Sequence, residues 1–130
     1  MAQILLAEPD RRIRQFMAGI LGDFGHDVTA CEDGIEASAF LAIRPIDVLV
    51  TDLVLRDGEG SQLSSHCAAL GIPTITLTGR EFRVDQAEQN RPSPLVVKPF
   101  RFDDLQCVLD AVAVISASRA ALDLVTRNAA

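Results

Sequence analysis

The residues best suited to chemistry in this sequence are Glu8, Asp10, Asp52, Thr78 and Lys98, and they share a position. Each lies at or just past the end of a short apolar run: Ile4–Ala7, Ile46–Thr51, Thr74–Leu77 and Leu95–Val97. Carboxylates crowded at one place repel, and a hard divalent cation relieves the repulsion. Mg²⁺ prefers oxygen ligands and retains several waters, so it also accommodates a phosphoryl group. Lys98 would supply a point charge, and the Thr78 hydroxyl a hydrogen bond, to phosphoryl oxygens. An aspartate there can act as a nucleophile through an acyl phosphate. A single aspartate after a strand more often caps a strand or a helix, so the reading rests on the other groups arriving at the same place.

The elements needed to bring them together are legible. Ile4–Ala7 carries no polar interruption, as expected of a strand covered on both faces. A helix follows Glu8-Pro9-Asp10, with Asp10 placed as its N-cap. Its apolar residues are Ile13, Phe16, Met17, Ile20 and Leu21, and Gly25 ends it. A second strand is expected at Val28–Cys31, a turn at Asp33-Gly34, and a helix from Ile35 to Ile43 burying Ala37, Phe40 and Leu41. Pro45 closes that helix. The third strand leads to Asp52. A helix over Ser61–Leu70 stops at Gly71, and Thr74–Leu77 and Leu95–Val97 are the last two strands. Residues 80–94 carry only a thin apolar face and an irregular Pro92-Ser93-Pro94 stretch. A final helix is expected from Phe102, broken near Ser116-Ala117-Ser118. Strands alternating with helices give an α/β fold, a doubly wound five-stranded parallel sheet. In such sheets ligands bind outside the carboxyl ends of the strands, where the five polar residues collect.

Composition narrows the field. The chain has 130 residues, enough for one domain, and a net charge of −6. An acidic balance is the wrong sign for phosphate-backbone contact, so no nucleic-acid partner is expected. No apolar run approaches the ~20 residues of a membrane span, and the N-terminus does not read as a secretory signal. Cys31, Cys67 and Cys107 are odd in number and widely spaced, as in reduced cytoplasmic thiols. His26 and His66 are isolated and read as surface or loop-end residues.

Taken in order, Ile4-Leu5-Leu6-Ala7-Glu8, Thr51-Asp52 with Leu55 and Gly60, Thr78-Gly79 and Val97-Lys98-Pro99-Phe100 resemble the receiver domain of two-component response regulators. The resemblance covers roughly Ala2 to Ala113. It implies a flavodoxin-like strand order of 2-1-3-4-5 and phosphoryl transfer onto Asp52 from a histidine kinase or phosphotransfer protein. Thr78 would be the switch hydroxyl and Lys98 the phosphate-pairing lysine. Magnesium would be held by Glu8, Asp10, Asp52 and the backbone carbonyl of Val54. Four departures stand out. Pro9 occupies the place of a direct acidic metal ligand, with Asp10 next along as either a substitute or only a cap. Leu95 replaces a common aromatic, Arg56 a common proline, and Val54 a common polar side chain.

A receiver domain over residues 1–115 is expected, with 116–130 as a C-terminal helical extension or tail. So few residues beyond Ala113 suggest a stand-alone module, not an enzyme beyond self-phosphorylation and self-dephosphorylation. It would act through an unidentified protein target, homodimerisation being compatible. Output is implied near the fourth helix, fifth strand and fifth helix, and residues 80–94 and the extension are where partner specificity could lie. The alternative is a pseudo-receiver adaptor, binding partners without phosphorylation because Pro9 leaves the metal site incomplete. A haloacid-dehalogenase-type phosphatase would need an Asp where Val54 stands. A flavin carrier would need a Gly/Ser/Thr-rich loop in Ala7–Arg12 and an aromatic ring-stacker; the chain has no Trp or Tyr.

Overall fold

A computed structural model describes residues 2–52, 55, 60–78, 95–97, 106 and 108–118. Five parallel strands, β1 (Gln3–Ala7), β2 (Asp27–Cys31), β3 (Val48–Asp52), β4 (Thr74–Thr78) and β5 (Leu95–Val97), form one sheet in the order β2-β1-β3-β4-β5. Helices α1 (Arg11–Asp23), α2 (Gly34–Ile43) and α3 (Gly60–Ala69) fill the crossovers between the first four strands. A C-terminal helix is described over residues 108–118.

The sheet is apolar on both faces because side chains alternate along each strand. Ile4 and Leu6 of β1, Val48 and Val50 of β3, and Ile75 and Leu77 of β4 share one core with Met17 and Leu21 of α1 and Val108 and Val112 of the C-terminal helix. Leu5, Ala7 and Leu49 point the other way, into a core with Ala37 of α2 and Leu63 and Cys67 of α3. Each fully buried Leu or Ile contributes roughly 1.5–3 kcal/mol of transfer free energy. The sheet is therefore fixed in register from both sides.

Local chemistry explains the ends. Asp10 caps α1, its Oδ1 accepting from the Arg12 and Ile13 amides at 2.9 and 3.2 Å. Gly25, with φ of 89°, supplies the left-handed residue that turns the chain into β2. Asp47 Oδ2 accepts from the Gln3 amide at 2.8 Å, pinning the start of β1 to the entry of β3.

Three expectations need correction. Asp33-Gly34 is not a separate turn: Asp33 is the N-cap of α2, accepting from the Glu36 amide at 2.8 Å, and Gly34 is already helical. Phe16 lies on the outer side of α1, 51% exposed, because Ile13, Met17 and Leu21 already fill the inward stripe. The C-terminal helix runs through Ser116, Ala117 and Ser118 without a break; with no Gly or Pro there, nothing forces one.

Candidate functional site

The strand register builds the carboxyl edge. Ala7 pairs with Thr51 across β1 and β3, so the next residues, Glu8 and Asp52, lie side by side on strands about 4.8 Å apart. Both continue the alternation that sends Leu6 and Val50 toward α1. Glu8 is fully buried and Asp52 is 9% exposed. Asp52 in turn pairs with Leu77, and Thr78 closes β4 opposite Val97 of β5. The backbone thus places positions 8, 52 and 78 on one edge. Lys98 and Val54 lie outside the described residues.

The loop after β1 is closely held. The Glu8 amide extends the ladder by donating to the Cys31 carbonyl at 3.0 Å. The Glu8 carboxylate folds over the loop, Oε2 accepting from the Asp10 amide at 3.1 Å. Arg14, one turn into α1, reaches back: its Nη1 donates to the Glu8 carbonyl at 2.9 Å, with a longer 3.5 Å contact to the Pro9 carbonyl. Nothing in the residue pattern singled out Arg14, since its partners are backbone carbonyls that any residue would offer.

Of the two expected roles of Asp10, the structure describes the cap. Its side chain is exposed and its Oδ1 is engaged by two amides of its own helix. Among the described residues, Glu8, Asp10 and Asp52 do not gather three ligand oxygens within 4.8 Å of one another. The acidic group that does is Glu32, Asp33 and Glu36, at the mouth of α2. Its geometry is that of a helix cap, Asp33 holding the Glu36 amide and Glu36 Oε2 accepting from the Glu32 amide at 3.2 Å. The Asp-x-x-Glu spacing was a legible signal for it. Two oxygen-bearing carboxylates at positions 8 and 52 still suit magnesium, which is commonly bound through one or two carboxylates plus waters.

The described cysteines, Cys31 and Cys67, are free and buried. Burial pushes the Cys31 thiol up to about 12, with Glu36 and Asp33 adding to it and Arg14 opposing. Burial alone raises Cys67 to about 11. Thiols held so far above neutrality are protonated and poor nucleophiles.

An open parallel sheet with a buried glutamate and a nearly buried aspartate at its carboxyl edge defines a flavodoxin-like module with an acidic edge site. Residues 4–110 match the family described as the response regulator receiver domain. The chain is 30% identical over 109 residues, 81% of its length, to the response regulator receiver protein CpdR of Brucella abortus, covering 91% of that protein. It is 29% identical to the virulence transcriptional regulatory protein PhoP of Salmonella typhimurium over 86% of this chain, and it spans only 52% of PhoP. Among solved structures, the receiver domain of the Francisella response regulator 1452 superposes with a TM-score of 0.76 at 24% identity, over 92% of this chain and 99% of that one. The chemotaxis response regulator CheY4 of Vibrio cholerae gives 0.74 at 24% identity, over 86% of this chain and 98% of that one. The chain belongs to the response regulator receiver domain family of two-component systems, with the flavodoxin-like fold of its neighbours.

Proposed function

We propose that this receiver domain accepts a phosphoryl group on Asp52 from a histidine kinase or phosphotransfer protein and signals through protein contacts. The observation that carries the reading is the pairing of Ala7 with Thr51, which sets buried Glu8 beside Asp52 at the carboxyl edge. Asp52 Oδ would attack phosphorus in line, and the donor's nitrogen or oxygen would leave with the bonding pair. Glu8, Asp52 and the Val54 carbonyl would hold Mg²⁺, with Asp10 joining only where it gives up its cap. The bound ion supplies charge neutralisation for the transferring group. Thr78 and Lys98 would take phosphoryl oxygens and relay the added charge of about −1.5 to −2 to their loops.

No helix among the described residues is long and apolar enough to cross a membrane, which suits a cytoplasmic module. Its activity would be confined to self-phosphorylation and self-dephosphorylation. Incubation with a small phosphodonor and Mg²⁺ should add one phosphoryl group to the wild type by intact mass and none to Asp52→Asn. A wild type without any gain at saturating Mg²⁺ would refute the proposal.

Two observations favour a second reading, a pseudo-receiver adaptor. Pro9 brings no oxygen-bearing side chain to the loop, and the Asp10 carboxylate is engaged in capping. Isothermal titration with Mg²⁺ separates the two: heat of binding that disappears in Glu8→Gln supports the phosphoacceptor, and no heat at millimolar Mg²⁺ supports the adaptor.

A further inference from the structure

Helix α2 is apolar on both sides. Gly34 and Ala37 are buried, and Phe40 and Leu41 pack against the same core. The opposite side is not covered by this chain's described residues: Ile35 is 68% exposed and Ile43 73% exposed, with Ala39 and Ala42 exposed between them. Such a helix ordinarily has a neighbour on each side. Ile35, Ala39 and Ile43 recur at four-residue spacing and form one row. Beside it on the helix lie Glu36 and Phe40, and Arg44, the extended C-cap residue that follows the helix, sets its guanidinium 5.4 Å over the Phe40 ring.

The apolar row and the two charges flanking it, Glu36 in the first turn and Arg44 at the C-cap, are complementary to themselves. Set two copies of α2 antiparallel about a twofold axis, and Ile35 of one meets Ile43 of the other across the two Ala39 residues. The same operation brings Glu36 of one copy to Arg44 of the other, twice. Same-side flanks meet in an antiparallel isologous pair, so the acid and the base fall on the matching edge. Each end of the pair is then electrostatically matched. Glu32, Asp33 and Glu36 crowd their carboxylates within 4.8 Å at the helix start, and a partner's guanidinium would relieve that repulsion. Arg44 is exposed and gives Nη1 to Thr29 Oγ1 at 3.3 Å, while a guanidinium has five N–H donors.

We infer that α2 is a homodimer interface, its occupant a second copy of this chain. The contact covers one side of a ten-residue helix, which places it among small, transient interfaces. The dimer therefore forms at high protein concentration and weakens with salt. It does not depend on phosphorylation of Asp52.

Sedimentation velocity over a concentration series reaching hundreds of micromolar tests it on the unphosphorylated chain. Wild type should shift from monomer toward dimer, and Ala39→Arg, at an exposed helical position, should remain monomeric with an unchanged circular dichroism spectrum. Glu36→Arg and Arg44→Glu should each weaken association by about threefold, and combining them should restore it. If Glu36→Arg loses its fold through the damaged cap, Ala39→Arg and Arg44→Glu still decide. A wild type that stays monomeric throughout, or a dimer that Ala39→Arg leaves intact, overturns the inference.

Discussion

Asp10 and Asp52 are both aspartates just past or at the end of a strand, and the structure gives them opposite employment. Asp10 turns back to its own helix, holding two amides, whereas Asp52 stays in the sheet, nearly buried beside Glu8. Replacing Asp10 by Ala should cost about 1 kcal/mol of stability in urea denaturation while leaving Mg²⁺ affinity within about twofold, since a change below 0.5 kcal/mol is that small. A large loss of affinity would restore Asp10 as a ligand. His26 offers a pH test. Its Nδ1 accepts from the Ala2 amide at 3.0 Å, and its pKa is held below the ordinary 6.5 by burial first and by the positive N-terminus second. A lowered pKa on a base means the folded chain resists a proton that the unfolded chain accepts. The stability present above about pH 6.5 is therefore lost as pH falls through the folded-state value. Urea midpoints at pH 7.5 and 5.5 should differ less in His26→Gln than in wild type; an equal difference would count against it. Asp52 was legible from its place after an apolar run. Arg14 and His26 were not, because hydrogen bonds to backbone atoms of distant segments leave no residue pattern.

At the scale of elements, the helix punctuation was mostly readable, and each misreading has its own physical cause. Asp33-Gly34 looks like a turn dipeptide, yet Glu36 three residues after Asp33 makes it a cap. Phe16 fits a helical stripe by spacing alone, but the stripe has a finite width and Met17 lies nearer its centre. Gly25 ends α1 as its residue type implies, and its φ of 89° supports a quantitative expectation. A Cβ there would meet no atom within 4 Å, so Gly25→Ala should cost only the left-handed backbone penalty, roughly 1–2 kcal/mol by urea denaturation. A loss well above that would mean a steric role for the site. The proposed α2 interface belongs to this scale as well: the buried side, with Ala37, Phe40 and Leu41, is readable in the sequence, and the packed fold adds that the row of Ile35, Ala39 and Ile43 is left exposed.

For the whole molecule, the parallel sheet followed from alternating apolar runs and helical segments, and the strand order followed from the family resemblance, not from any single strand. What gathers the candidate site is the register of β1, β3 and β4, which spacing along the chain does not encode. The acidic edge formed by Glu8 and Asp52 is the proposed phosphorylation site, and the sharpest question is which side chain carries phosphorus. Treating the phosphodonor-exposed protein with borohydride reduces an aspartyl acyl phosphate to homoserine, and peptide mapping then locates it. Homoserine is expected at position 52, dependent on Mg²⁺. Modification at Asp10 instead, or none at position 52 under saturating donor and metal, would contradict it.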